Sequence, residues 1–227
     1  MSPGMDQLAR DKDLLGRSSI TERVTDLLRT RIGEGRFKPG EKLSEDEICT
    51  ALGVSRNTVR EAFRLLTHER LLAHELNRGV FVRRPSSADI ADIYRMRMLV
   101  ECAVLRCLGD PPFALEGLAA AADDGDKAVA AQDWAALGAA NFHFHRELIA
   151  LAGIRRIDET MRSVLAELRL AFHCVDDPRA LHIPYLGLNR TLLETLRTGD
   201  ADLAERQLRD YLDDSRTTME RTASSGE

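Results

Sequence analysis

The chain has 227 residues, enough for two domains, and its 44% hydrophobic and 30% charged content supports buried cores under a soluble surface. No apolar run approaches the length of a membrane span and residues 1–19 are too polar for a signal peptide, so the expected compartment is the cytoplasm, with no membrane partner. A formal net charge of −5 argues against nucleic acid only until the chain is divided. Residues 1–85 carry 16 Lys+Arg against 13 Asp+Glu, whereas the remainder carries 16 against 24. Residues 55–84 hold seven Arg and three Glu, a local basic patch of the kind that releases counterions from phosphates. Cys49, Cys102, Cys107 and Cys174 lack C-x-x-C or zinc-finger spacing, which reads as four small buried apolar residues in a reducing compartment.

Residues 1–18 are mixed polar and read as a disordered segment. Ser19-Ile20-Thr21-Glu22 is a capping box, and Ile20, Val24, Leu27, Leu28 and Ile32 form the stripe of the helix that follows, ended by Gly33 and Gly35. Residues 37–43 read as a turn with a short extended piece, and a second capping box, Ser44 to Glu47, opens a helix to Leu52. Gly53 can take the left-handed conformation that ends it, and Ser55 can cap a recognition helix running to about Leu71. Arg56, Asn57, Thr58 and Arg60 crowd the start of that helix, where a helix laid in a major groove meets bases and phosphates. Residues 72–83 read as a hairpin turning at Asn77-Arg78-Gly79, with Gly79 supplying a positive φ and Arg78 at the tip. Three helices and a hairpin make a winged helix-turn-helix.

Arg84-Pro85-Ser86-Ser87 reads as a linker whose serines can cap the next helix. Beyond it the chain is helical, with breaks expected at 109–112, 124–126, 153, 176–178 and 199–200; these give six helices, or seven if one subdivides, and no strand. The fold class is therefore mainly α, with a disordered segment at 1–18, a winged domain at 19–84 and an all-helical bundle at 85–222.

Several polar residues fall on the apolar stripes of that bundle. Asn141 and His145 lie i,i+4 among Trp134, Leu137, Phe144 and Leu148; Asn189 lies between Tyr185 and Leu192; Tyr211 lies between Leu208 and Leu212. Arg97 and Glu101 share the inward side of the first bundle helix with Ile93 and Val104. Buried polar groups cost free energy unless satisfied, so the set points to a ligand cavity. Each also has a plain reading: Arg97 and Glu101 as an i,i+4 pair, His145 as a hydrogen-bonded core histidine, Tyr211 as a core tyrosine. His143 falls on the outward side of its helix.

Two motif sets carry a resemblance. Ile32-x-x-Gly35, Pro39-Gly40-x-x-Leu43-x-Glu45, Leu52-Gly53-Val54-Ser55-Arg56-x-x-Val59-Arg60-Glu61-Ala62, Leu66 and Gly79-x-x-Val82 resemble the DNA-binding domain of the GntR family of bacterial transcription regulators. Arg97-x-x-x-Glu101, Phe144-His145 and Gly199-Asp200 resemble the FCD effector domain of the FadR subfamily. The resemblance implies a homodimer reading a palindromic operator in double-stranded DNA, with Ser44, Ser55, Arg56, Asn57, Thr58, Arg60, Arg78 and Gly79 at the DNA. It also implies a small-molecule effector held near Arg97, Glu101, Asn141, His145, Asn189 and Tyr211, and repression relieved by that effector. Two positions depart from relatives: Asp46, where some carry a DNA-contacting arginine, and Thr58, where proline is frequent.

Many FCD domains bind a divalent metal through one acidic residue and three histidines. The matching positions here are Asn141, His145, Asn189 and Tyr211, so His145 is the one retained ligand. Amide oxygens and a neutral phenol are weak donors, and the expectation is that the metal is lost and no cofactor is held. The same groups could hydrogen-bond an organic effector directly, with Arg97 neutralising a carboxylate on it. Two other readings stand beside this one: an effector-independent regulator with a vestigial pocket, and a metal-dependent enzyme built on His143-x-His145 and Glu147. The enzyme reading lacks H-E-x-x-H, a nucleophile elbow and a phosphate loop.

Overall fold

The computed structural model describes residues 19–175 and 177–224, so the expectation for residues 1–18 lies outside the described residues. The chain divides into two compact units between Val82 and Arg83. That is two residues before the boundary expected from the sequence, because Arg83 is already engaged within the helical unit by ion pairs to Asp89 and Glu167.

The first unit runs α1 (Ile20–Gly33), β1 (Lys42–Leu43), α2 (Glu45–Leu52), α3 (Arg56–His68), β2 (Leu72–Glu75) and β3 (Gly79–Val82). Both halves of the Ser19–Glu22 capping box form at α1. The α1 stripe differs from expectation: Val24, Thr25, Leu28 and Ile32 are buried, while Ile20 and Leu27 are exposed. Ser44 caps α2 through the Glu47 amide, and Gly53 ends it at φ 65°. Ser55 caps α3, which stops at His68, so Leu72 can begin a strand. Val59, Ala62, Phe63 and Leu66 turn the buried face of α3 inward and leave its opposite face outward. The extended piece at 42–43 becomes a third strand, giving the order β1-β3-β2, all antiparallel. The hairpin takes positive φ at Asn77 as well as at Gly79.

The described residues of the second unit form six helices: α4 (Ser87–Arg106), α5 (Glu116–Ala130), α6 (Trp134–Ala150), α7 (Arg155–Phe172), α8 (Pro178–Arg197) and α9 (Ala201–Ser224). Ser86 and Asp89 form the capping box of α4. The break expected at 124–126 does not occur. Gly125 is buried inside α5, where an added Cβ would lie 2.6 Å from a Leu186 methyl, so glycine serves close packing there. The actual break follows Ala130, with Gln132 at φ 55°. Tyr94, Phe144, Leu148, Leu168, Leu192, Leu208 and Leu212 belong to the central core. Of the four cysteines only Cys102 is buried; Cys49 is half-buried and Cys107 and Cys174 are exposed, which corrects the expectation of four core residues.

Phe144 has no exposed surface in this core. Phe144→Ala is expected to cost about 3–5 kcal/mol in denaturant unfolding. A loss under about 1 kcal/mol would show that the bundle closes around the cavity.

Candidate nucleic-acid interface and buried polar site

Because the apolar face of α3 is committed to the core, its first turn points Arg56, Asn57 and Arg60 into solvent. Ser55 Oγ accepts from the Thr58 amide at 3.2 Å and lies 2.9 Å from Thr58 Oγ1, which fixes the start of the helix. The arginines are held from α2: Arg56 Nη2 lies 3.0 Å from Asp46 Oδ1, and Arg60 Nε donates to Glu45 Oε2 at 2.8 Å. Exposed pairs of this kind contribute roughly 0–1 kcal/mol, little enough for a phosphate or base edge to displace the carboxylates. Ser44 lies half-buried at the start of α2, in the same unit. On the hairpin, Arg78 is exposed, pairs with Glu75 and lies 5.4 Å over the Phe81 ring. Sequence reasoning missed Lys42, which β1 lays beside the wing: a methyl on Gly79 would come within 3.0 Å of Lys42 Cε. Only the pairing of β1 with β3 reveals it.

In the helical unit, all six residues singled out on the stripes are buried and joined in one chain of hydrogen bonds. Arg97 Nε donates to Glu101 Oε1 at 2.7 Å, and His145 Nδ1 donates to Glu101 Oε2 at 2.7 Å. His145 Nε2 meets the Tyr211 hydroxyl at 2.8 Å. Asn141 Oδ1 accepts from the Tyr211 hydroxyl at 3.0 Å and from Asn189 Nδ2 at 2.8 Å. The helices α4, α6, α8 and α9 each contribute, so the chain ties four of the six together. Its two loose ends are Arg97 Nη2 and Asn189 Oδ1, buried without a hydrogen-bond partner among the described residues.

Burial alone would raise the Glu101 pKa, but the Arg97 guanidinium and the His145 ring outweigh it and hold the carboxyl at about 2. For His145, burial and then the Arg97 charge lower the pKa, against the opposing pull of Glu101, so the ring is neutral at neutral pH. Burial raises the Tyr211 phenol well above its ordinary value. With Tyr211 donating to Asn141, the bond to His145 Nε2 needs a proton on that nitrogen, and hence an imidazolium. A neutral ring instead takes the Tyr211 proton. The same heavy-atom positions are then kept if both amides turn over, so that the Asn141 NH2 donates to Tyr211 and Asn189.

The donor set does not fit a tightly held divalent metal. Both nitrogens of His145 are committed, its neighbours at the matching positions are two amides and a neutral phenol, and no cluster of three His, Cys, Asp or Glu is placed for a metal among the described residues. His143 pairs with Glu147 at 3.1 Å on the half-buried side of α6, away from His145. Sequence reasoning also missed His182, a buried histidine on α8 stacked on Phe172 at 5.2 Å, with Nδ1 unpartnered. Burial, aided by His173 and Arg169, lowers its pKa to about 4.

A winged helix-turn-helix with exposed arginines at its recognition helix, joined to an all-helical unit with a buried polar site, defines a DNA-binding transcription regulator. Comparison with known proteins gives the family. Residues 20–82 match the bacterial regulatory proteins of the gntR family, and residues 92–214 match the FCD domain. A solved transcriptional regulator GntR from Rhodococcus sp. RHA1 is 46% identical, with a TM-score of 0.85 over 89% of this chain and 98% of that one. The probable D-xylose utilization operon transcriptional repressor of Paenarthrobacter nicotinovorans is 27% identical over 208 residues, 86% of each chain. The HTH-type regulator YdhC of Bacillus subtilis (strain 168) is 36% identical over 74 residues, and the match spans 33% of each chain. The chain belongs to the GntR family of transcription regulators and carries an FCD domain.

A histidine whose folded pKa is depressed stabilises the fold fully above its unfolded pKa, here 6.5, and loses that contribution as pH falls through the folded value. Between pH 6.5 and about 4, His182 is expected to cost on the order of 2–3 kcal/mol of stability, with His145 adding in the same direction. Glu101 titrates below most of this window, its contribution being lost as pH falls toward about 2. Urea unfolding of the wild type and His182→Gln at both ends of the window should show a smaller acid loss in the variant; equal losses would contradict the assignment.

Proposed function

We propose that the protein binds a palindromic operator as a homodimer and represses transcription until a small organic effector reaches the buried chain of Arg97, Glu101, Asn141, His145, Asn189 and Tyr211. The observation that carries the reading is that the chain ends at both sides in a buried donor with no partner. Arg97 Nη2 is a buried cationic donor, and with His145 neutral and the amides turned over the outer atom of Asn189 is its amide nitrogen, a second buried donor; neither position has a hydrogen-bond partner among the described residues. Carboxylate oxygens would accept from both, which is why a carboxylate effector is favoured. The family's metal is taken to be lost and the effector to bind directly. The chain acts as a regulator rather than an enzyme.

Dimerisation is assigned to α4 and α7. Leu99 is 70% exposed on α4 beside half-buried Met96 and Val100, which pack in one cluster with Ile157 and Val164 of α7. Two recognition helices held by one dimer must engage both half-sites together, so a modest change in their spacing is enough to release DNA. Repression is favoured because the Paenarthrobacter relative, matched along most of its length, is described as a repressor. One feature favours the second reading, an effector-independent regulator: most polar groups of the chain already satisfy one another, as a plain core would require.

Selection from a random duplex pool should recover a palindrome. On that duplex, Arg60→Ala is expected to cost about 1–3 kcal/mol of binding, whereas Asp46→Asn frees Arg56 for phosphate and should strengthen binding. An organic acid that raises the melting temperature and weakens operator binding supports the effector reading; no response to any small acid would favour the effector-independent one. An Arg60→Ala protein that binds as well as wild type would contradict the DNA face.

A further inference from the structure

Along α3 the buried side chains Val59, Ala62, Phe63 and Leu66 share one direction. At about 100° per residue, Asn57 lies within about 10° of the direction opposite to them, in the middle of the outward face. Arg56 and Arg60 stand to one side of it, paired with Asp46 and Glu45 of α2. Glu61, Arg64 and His68 continue the ridge of Asn57 toward the end of the helix. A helix lying in a major groove turns the middle of its exposed face to the base edges and its flanks to the phosphates, and its first turns go deepest.

The side chains around Asn57 are already engaged. The Thr58 hydroxyl lies 2.9 Å from Ser55 Oγ, and Thr67 Oγ1 donates to the Phe63 carbonyl at 2.8 Å. Arg64 Nε donates to Glu61 Oε2 at 2.9 Å, so this part of the ridge offers the groove no net charge. Asn57 is exposed, and its amide makes no hydrogen bond with the described residues. Between Arg56 and Thr67 it is the one polar side chain of α3 in that position among the described residues. The Ser55 cap fixes the turn that carries it, so its reach is set while its amide stays free.

An amide presents one donor and one acceptor side by side. Adenine shows the matching pair in the major groove, an N7 acceptor beside an N6 donor, whereas guanine shows two acceptors. We propose, on the operator reading above, that Asn57 reads an adenine in each half-site, with Nδ2 donating to N7 and Oδ1 accepting from the N6 amino group. Guanine at that position sets its O6 against Oδ1 and leaves a desolvated acceptor without a partner. Arg56 and Arg60, on the flank, exchange their carboxylates for phosphates, so affinity and base choice come from different side chains of one helix.

Selection from a random duplex pool by the full chain, run in parallel for wild type and Asn57→Ala, tests this. The wild-type palindrome is expected to hold one adenine position per half-site that Asn57→Ala no longer specifies, with the other positions kept. On the selected duplex, guanine in place of that adenine in one half-site should weaken wild-type binding about ten-fold or more, and 7-deazaadenine, which lacks N7, about five-fold. Asn57→Ala should bind all three duplexes within about two-fold of one another. The position is exposed, so the variant should fold, which an unchanged unfolding temperature would verify. Equal weakening of Asn57→Ala on every duplex would place Asn57 at a phosphate and overturn the assignment. Unchanged base preferences, relaxation at a base other than adenine, or a wild type indifferent to 7-deazaadenine would overturn it too. A wild-type pool with no enriched sequence would sink the operator reading itself, and this assignment with it.

Discussion

Glu101 has no exposed surface and is ionised, so the helical unit must supply everything that water would have supplied to it. An isolated carboxylate moved out of water costs several kcal/mol even after relaxation, and only good geometry with full hydrogen bonding offsets that. Arg97 neutralises one oxygen from a turn away on the same helix, and His145 donates to the other from α6. Once His145 is oriented by that bond, its second nitrogen requires a partner, which brings Tyr211 from α9, then Asn141, then Asn189 from α8. The register of four helices follows from one buried charge. Apolar packing supplies most of the stability, but it would tolerate small slides of one helix along another that this chain of bonds does not.

The same requirement engages both nitrogens of the histidine retained from the family pattern. A histidine ligand presents one nitrogen to the metal and uses the other to orient itself. Here the orienting bond to Glu101 is kept, while the nitrogen that would face a metal meets a phenol. Two amides and a phenol in place of a charged donor set offer hydrogen bonds rather than strong metal ligands. The two ends of the chain of bonds, Arg97 Nη2 and the outer amide atom of Asn189, are buried without hydrogen-bond partners among the described residues. In the DNA-binding unit the logic is reversed. Arg56 and Arg60 are exposed and held by exposed carboxylates, pairs weak enough to be exchanged for phosphates, so the recognition helix is ordered before DNA arrives without being blocked from it.

Features written in short-range chemistry were legible in the sequence. Ser19, Ser44, Ser55 and Ser86 announce helix starts because a cap is a contact within three residues, and Gly53 announces a turn because it adopts φ 65°. The inward positions of Arg97, Asn141, His145, Asn189 and Tyr211 were legible from helical period alone. Features that depend on partners far along the chain were not. Gly125 reads as a helix breaker until Leu186 is seen packed against it. His182 shows its burial only when Phe172 is stacked on it, and Lys42 its place beside the wing only when β1 pairs with β3. Cys107 and Cys174 are exposed because they follow the ends of α4 and α7, where the apolar stripe no longer decides which way a side chain faces. That the six polar positions bond to one another, in a definite order, is a property of four helices together.

The most direct test of this account is a zinc titration of the protein labelled with 15N at histidine, followed at the ring nitrogens of His145. If the chain of bonds from Glu101 to Asn189 has replaced the metal site, both His145 resonances stay where the neutral, hydrogen-bonded ring puts them as zinc passes stoichiometric amounts. A new His145 signal growing in proportion to zinc and complete at one equivalent would mean that Tyr211 gives way to metal, and the account would fail at its centre.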